Sequence, residues 1–398
     1  MRTLESALIE LLARAPSAPP SERVALHHAL GRVLAQTVAS PLDVPGFDNA
    51  QMDGYAVCAR EVEPGRAMRV SQRIAAGHVG LPLESGTAAR IFTGAPLPPG
   101  ATAVIMQEDT TPTADGAEVV FQAAPPEGQY VRKRGGDLYV GAEVLPVGSR
   151  LLAADLGLLA SVGVREIEVR RRLKVAVFSS GDELVQPGQA LAPGQIFDSN
   201  RPMMMALAAS LGAEVTDLGV LPDRADITRA SLAQAGAAHD VVLTCGGVSV
   251  GEEDHIKAAV RDVGALDLWQ VAIKPGKPFA FGRVGQAAFL GLPGNPVSAW
   301  VTFVLLVRPF LLRASGVQRV EPQSVLAQAA FSWTRPDRRQ EFMRGWLQAD
   351  GSVQVHSKQN SQLLTSVTQS GCLVRVPAQT PIQPGDSVQC VLFESLVH

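Results

Sequence analysis

The sequence predicts an α/β multidomain protein whose centre is a doubly wound, mostly parallel α/β domain, with a β-rich domain before it and a C-terminal β-barrel-like domain after it. Three observations predict this. A chain of 398 residues exceeds what one ordinary hydrophobic core serves. Strand-like and helix-like patterns alternate from residue 173 to about 316, as parallel strands joined by crossover helices require. On either side, short β-branched runs separated by Pro/Gly turns replace that alternation.

Composition narrows the class. Hydrophobic residues make up 46% and charged ones 18%, and 35 Lys+Arg against 38 Asp+Glu leave a net charge of −3. That balance argues against a nucleic-acid binder and against a polybasic membrane binder. Cys58, Cys245, Cys372 and Cys390 form no CxxC pair, so reduced thiols in a cytoplasmic protein are expected rather than a disulfide framework or a zinc ribbon. Glu5 and Glu10 interrupt the first apolar segment, which fits an amphipathic helix better than a signal peptide. Arg308 and Pro309 interrupt the most apolar window, 297–312, which is expected to be a buried helix.

In chain order, Leu4, Leu8, Leu11 and Leu12 share one helical face, ending at the breaker PSAPP. A second helix is expected after Ser21, carrying Val24, Leu26, Ala29 and Leu30. The stretch SPLDVPGFDNAQMDGYAV then has no period, and long irregular loops inside compact domains are often functional. Asp48, Asn49, Asp53 and Gly54 stand out there, the plain alternative being a connector of Asx-turns. Short strands follow to about residue 147. Two turns among them carry polar groups suited to a ligand: FTGAP with Thr93, and RKRGGD with Arg132, Lys133, Arg134 and Asp137. A helix over 153–163 and the strand VREIEV lead to a boundary near residue 171.

In the doubly wound region LKVAVFS, AEVTDLGV, HDVVLTC and LWQVAI read as strands, and SNRPMMMALAASLG, RADITRASLAQAGA and EEDHIKAAVRDVG as helices. Met203, Met204 and Met205 are expected to fill core space. Ligands of such sheets bind outside the carboxyl ends of the strands, where every unusual turn falls: SSGDEL, PDR, TCGGVSVGEED, KPGKP and LPGNP. Backbone donors are expected around Gly246, Gly247 and Ser249, around Gly276, and around Pro293, Gly294 and Asn295, with helix N-termini that attract anions. Lys274 and Lys277 add positive charge, and Asp182, Glu183, Asp223, Glu252, Glu253 and Asp254 add negative charge. An anionic, phosphorylated ligand with a divalent cation such as Mg²⁺ reconciles the two. No GxxxxGK[ST] or GxGxxG occurs in these turns, so neither a P-loop NTPase nor an ordinary dinucleotide dehydrogenase is supported.

Together, PLDVPGFDNAQMDGYAV, FTGAPLP, RKRGGDL, SSGDEL, TCGGVSVGEEDHIK, AIKPGKPFAFG and GLPGNPVSA resemble the molybdopterin molybdenumtransferase family, to which the E domain of gephyrin is related. The resemblance runs in order over residues 22–316 and more weakly beyond. It implies a helical linking domain (1–45 and 141–172), a β-rich domain (46–140), the doubly wound domain (173–319) as the molybdopterin-binding unit, and a C-terminal barrel (320–398). It also implies a homodimeric cytoplasmic transferase that inserts molybdate into adenylylated molybdopterin, with Mg²⁺ and release of AMP. The partners it implies are the molybdopterin adenylyltransferase and molybdoenzyme maturation proteins, with neither nucleic acid nor membrane. By motif match the catalytic residues are Asp53, Asp137, Glu183, Asp223, Asp254, Lys274 and Lys277. Asp223 and Asp254 are the metal ligands, and Thr93, Arg344 and Ser361 contact substrate. Asp53, Thr93 and Asp137 are expected to reach the site from the partner subunit.

The chain departs from the family pattern at His255-Ile256, where relatives carry Tyr-Thr, and at Asn360-Ser361-Gln362, where they carry Gly-Ser-His. Two other readings compete: an enzyme like the molybdopterin adenylyltransferase, which resembles the doubly wound domain alone, and a non-catalytic molybdopterin-binding scaffold. The MDGYA and RGGD loops oppose the first, and the retained acids and lysines oppose the second.

Overall fold

The computed structural model describes residues 1–222, 224–247 and 255–397. The expectations placed on Asp223, Ser249, Glu252, Glu253 and Asp254 lie outside these residues.

The α/β body is built on a six-stranded sheet in the order Glu214–Leu221, Lys174–Ser180, Val241–Cys245, Ala287–Leu292, Pro278–Val284, Gly264–Gln270. The first four strands are mutually parallel and the last two extend the sheet antiparallel. Continuous apolar runs form the inner strands Lys174–Ser180, Val241–Cys245 and Ala287–Leu292 because both faces are covered. Phe178, Val242 and Phe289 pack under the helices Ala225–Ala238 and His255–Val263 with Leu232, Ala235, Ile256 and Val260. Val175, Val177, Leu243 and Leu290 pack on the other face against Met204, Ala208 and the apolar run after Pro296. Burying each large apolar side chain contributes about 1.5–3 kcal/mol.

That run is one helical stretch, Pro296–Ala314, of 19 residues and mean hydropathy 1.6. It is long and apolar enough to cross a membrane, yet 94% of its most apolar window is buried inside the chain, so it is a core helix. Pro309 has no N–H to give to the preceding turn, and a π-helical turn, Phe303–Val307, lies just before it. Buried Arg308 donates to the carbonyls of Val320, Ser395 and Leu396.

Two segments near the N-terminus differ from the sequence reading. Residues Ser21–Ala25 form a strand, not a helix, paired antiparallel with Glu166–Arg170. The helical spacing of Val24, Leu26 and Ala29 is outweighed by this pairing and by a small core of Ala29, Leu34, Leu159, Ile167 and Val169. The first helix, Leu4–Ala13, packs through Leu4, Ala7 and Leu11 onto the core of the α/β body rather than within the linking segment.

The β-rich unit is a six-stranded sheet, with Gly54–Val57 between Ala103–Met106 and Thr87–Ile91. The C-terminal unit is a closed five-stranded barrel in which Gln340–Leu347 pairs with both Ser352–Val355 and Cys372–Val376. An extra strand joins it from the α/β body. Ile273, read from the sequence as the end of the strand LWQVAI, and Lys274, read in the turn after it, pair in parallel with Gln340–Glu341.

Candidate functional site

The sheet reverses its strand order between Lys174–Ser180 and Val241–Cys245, since the chain adds Glu214–Leu221 on one side and then Val241–Cys245 on the other. A crevice opens outside the carboxyl ends at such a switch point. The turns that follow these strands carry Glu183 and the Gly246-Gly247 pair. A cleft of about 310 Å³ is lined there by Gly181, Asp182, Gln186, Leu221 and Pro222. Gly246 has φ +90°, and a Cβ on it would stand 2.9 Å from the Ser180 carbonyl, so only glycine lets the two turns approach this closely. Asp182 and Glu183 are exposed at the rim.

The LPGNP turn closes the third side. Asn200 at the start of Asn200–Ser210 donates its amide to the Gly294 carbonyl at 2.7 Å. Asn295 leads the next helix with Pro296 in its first turn, where the missing N–H costs nothing. Pro293 is buried, while Gly294 and Asn295 are exposed. The Val297 N–H at this helix start is taken by the Ser361 carbonyl at 3.0 Å, which brings the divergent Asn360-Ser361-Gln362 segment over the turn.

The KPGKP loop lies between the sheet and the barrel. Lys274 Nζ stands 3.3 Å from Glu341 Oε1 and 3.4 Å from Asp337 Oδ2. Hydrogen bonds from Arg339 hold the Asp337 carboxyl well below the usual carboxylate range. Lys277 is half-buried, and its ammonium has no partner among the described residues. Gly276 has φ +113°, and a Cβ there would come 2.5 Å from Thr302 Oγ1.

Arg344 is 1% exposed. Its guanidinium donates to Ser366 Oγ and to the carbonyls of Phe342 and Asn360, and burial pushes its pKa down to about 10. It braces the 360 segment from inside the barrel. Gln359 completes the brace, accepting from Arg344 N and donating to the Arg344 carbonyl.

The loops of the β-rich unit are assembled separately. Thr93 gives its N–H and its hydroxyl to Asp53 Oδ1, both at 2.7 Å, and these bonds lower the Asp53 pKa, the backbone one most. Asp48 accepts from Lys133 Nζ and Arg134 N, and Asp43 from Arg134 Nε and Val140 N. The basic turn is therefore laced to the irregular loop, with Val131–Arg132 paired to Asn49–Ala50 and Asp137 N donating to the Val44 carbonyl. Thus Asp53, Thr93 and Asp137 share one loop set, and Glu183, Gly246, Gly247, Lys274, Gly276, Lys277 and the LPGNP turn share another. Among the described residues no hydrogen bond or ion pair joins residues 46–140 to residues 173–319.

Sequence reading missed Asp337, Arg339, Glu341 and Asn200. The charge-dense RPDRRQEF run, set where the barrel strands are otherwise apolar, is the signal that points to the first three.

Residues 2–163 match the family model described as MoeA N-terminal region (domain I and II), residues 176–313 the probable molybdopterin binding domain, and residues 327–393 the MoeA C-terminal region (domain IV). A molybdopterin molybdenumtransferase of Haemophilus influenzae is 40% identical over 408 residues, covering 100% of both chains. One from Nostoc is 34% identical, covering 98% of this chain and 92% of its own. The crystal structure of a molybdopterin biosynthesis moeA protein from Pyrococcus horikoshii OT3 superposes with a TM-score of 0.85 at 28% identity, covering 99% of this chain and 100% of that one.

Proposed function

The chain belongs to the molybdopterin molybdenumtransferase family and is a transferase that inserts molybdenum in molybdenum cofactor biosynthesis; we propose that it does so as a cytoplasmic homodimer, with molybdate and adenylylated molybdopterin as substrates and AMP as the released product. The observation that carries the shared site is the division described above. The loops holding Asp53, Thr93 and Asp137 are laced to one another, and among the described residues they share no hydrogen bond or ion pair with the sheet edge that carries Glu183, Lys274 and Lys277. A second copy of the chain brings the first set to the second, and C₂ symmetry makes two such sites.

In this reading Lys277 and Lys274 face the charge of phosphate and molybdate oxygens, where fixed cations are worth most. The glycine turns let the ligand approach the backbone, and Glu183 hydrogen-bonds the nucleotide or pterin. Asp53, ionised and aimed by Thr93, accepts hydrogen bonds from the substrate's polar groups. Among the described residues no three His, Cys, Asp or Glu side chains form a metal cage. Mg²⁺ needs only one or two carboxylates when phosphate oxygens and waters fill its shell, and the acidic rim at Asp182 and Glu183 suits that donor chemistry. Asp223 and Asp254 are the residues proposed to hold it, and bound there it would neutralise phosphate charge. The molybdopterin adenylyltransferase upstream and molybdoenzyme maturation proteins downstream are the partners this reading expects.

The direct test is single-turnover AMP release from adenylylated molybdopterin. Release that requires both molybdate and Mg²⁺ supports the proposal, and release indifferent to molybdate defeats it.

A further inference from the structure

We infer that the C-terminal barrel positions Lys274 for the reaction through the carboxylates of Asp337 and Glu341. This rests on the proposed function, because it gives those residues a role in the same crevice.

Lys274 is fixed at both ends. Its backbone lies in a parallel pairing with the barrel, Ile273 opposite Gln340 and Lys274 opposite Glu341. Gln340 N donates to the Ala272 carbonyl at 2.9 Å and Arg339 Nη1 to the Ile273 carbonyl at 3.4 Å. Its ammonium lies between Glu341 Oε1 and Asp337 Oδ2, while 41% of the side chain remains exposed.

The two carboxylates are themselves held. Glu341 is 4% exposed, and Lys274 is its ion-pair partner among the described residues, with Asp337 N donating to it at 2.8 Å. A carboxylate that deep is costly to leave without a cation. Arg339 clasps Asp337 with Nε on Oδ1 and Nη2 on Oδ2, each at 3.0 Å.

Lys274, Arg339, Asp337 and Glu341 form a quartet with balanced charge. Such a group adds little net attraction for an arriving anion. It removes the rotational freedom of a flexible four-carbon stem and sets the ammonium before charge develops, which is preorganisation. The expected signature is in kcat rather than KM.

The test compares wild type, Glu341→Gln, Asp337→Asn, Lys274→Ala and the double variant K274A/E341Q. Glu341→Gln is expected to lower kcat for molybdate-dependent AMP release about tenfold, with KM for molybdate within about twofold. In the Lys274→Ala background the same change is expected to do nothing further, because Glu341 acts through that lysine. Labelling of Lys274 by an amine-acetylating reagent, read by peptide mass spectrometry, is expected to rise severalfold in Glu341→Gln. Unchanged kcat and labelling, or an equal loss of kcat with and without Lys274, would overturn the inference. So would a lowered KM at unchanged kcat, since the carboxylates would then only compete with the anion. A wild type without molybdate-dependent release would sink the proposed reaction by itself, and the labelling would still decide whether the quartet holds Lys274.

Discussion

Thr93 donates twice to a single oxygen of Asp53, from its backbone N–H and from its hydroxyl, both at 2.7 Å. The FTGAP and MDGYA loops, 40 positions apart at these residues, are thereby locked together with the carboxylate ionised. Donors to the charged form lower a carboxyl pKa, and Asp53 is lowered from its ordinary 3.8. Thr93→Val removes the hydroxyl donor, so the Asp53 pKa rises toward that value. The acid limb of kcat/KM is expected to move to higher pH, with about a tenfold loss at neutral pH. A pH–rate profile checks both.

The junction between the linking segment and the α/β body is an ion pair. Arg171 binds Asp240 through two nitrogens, each at 2.8 Å, and Lys174 N donates to the same carboxylate at 2.7 Å. Burial raises the Asp240 pKa, but the Arg171 bonds and the Lys174 N–H outweigh it and the net shift is downward. A depressed carboxyl contributes stability that is present above its unfolded pKa and lost as pH falls through the folded one. Asp240→Ala is expected to cost about 1–3 kcal/mol at neutral pH, with a deficit that shrinks below pH 4. Urea unfolding across pH measures it.

Gly276→Ala tests the KPGKP loop without touching a charge. At φ +113°, with Thr302 Oγ1 2.5 Å from the new Cβ, the backbone must shift at a cost of about 1–3 kcal/mol. Lys274 and Lys277 move with it, so turnover is expected to fall at least tenfold while the circular dichroism spectrum stays native. Wild-type turnover in this variant would mean the loop tolerates displacement.

Metal removal separates binding from chemistry. With excess EDTA, AMP release is expected to stop and to return on adding Mg²⁺. Thermal unfolding of the free protein is expected to change little, since Mg²⁺ is shared with the substrate phosphates rather than caged by the fold.

The site was legible in the sequence to an uneven degree. The alternation from residue 173 to about 316 and the glycine turns at Gly246, Gly276 and Gly294 are local signals, and topology brings turns after parallel strands to one sheet edge. The Asp53 and Thr93 loops were legible as motifs, though nothing local disclosed that one oxygen joins them. Long-range pairing hid the rest. Ser21–Ala25 carries a helix-like spacing and becomes a strand only because Glu166–Arg170 lies beside it. Ile273 leaves the strand LWQVAI for the barrel because Gln340–Glu341 offers a partner. The bonds of Arg344 to Ser366 and the Asn360 carbonyl are interior contacts that single residues do not announce.

A site made from two chains can be rebuilt by complementation between two damaged ones. Asp53→Ala and Lys274→Ala chains, each left with only a small residual activity alone, are unfolded together and refolded as a mixture, and molybdate-dependent AMP release is then measured. Hybrid dimers hold one doubly damaged site and one intact site, so the mixture is expected to recover about a quarter of wild-type activity when chains pair at random. No recovery, with hybrid dimers shown to be present, would contradict the shared site and return Asp53 and Lys274 to a single chain.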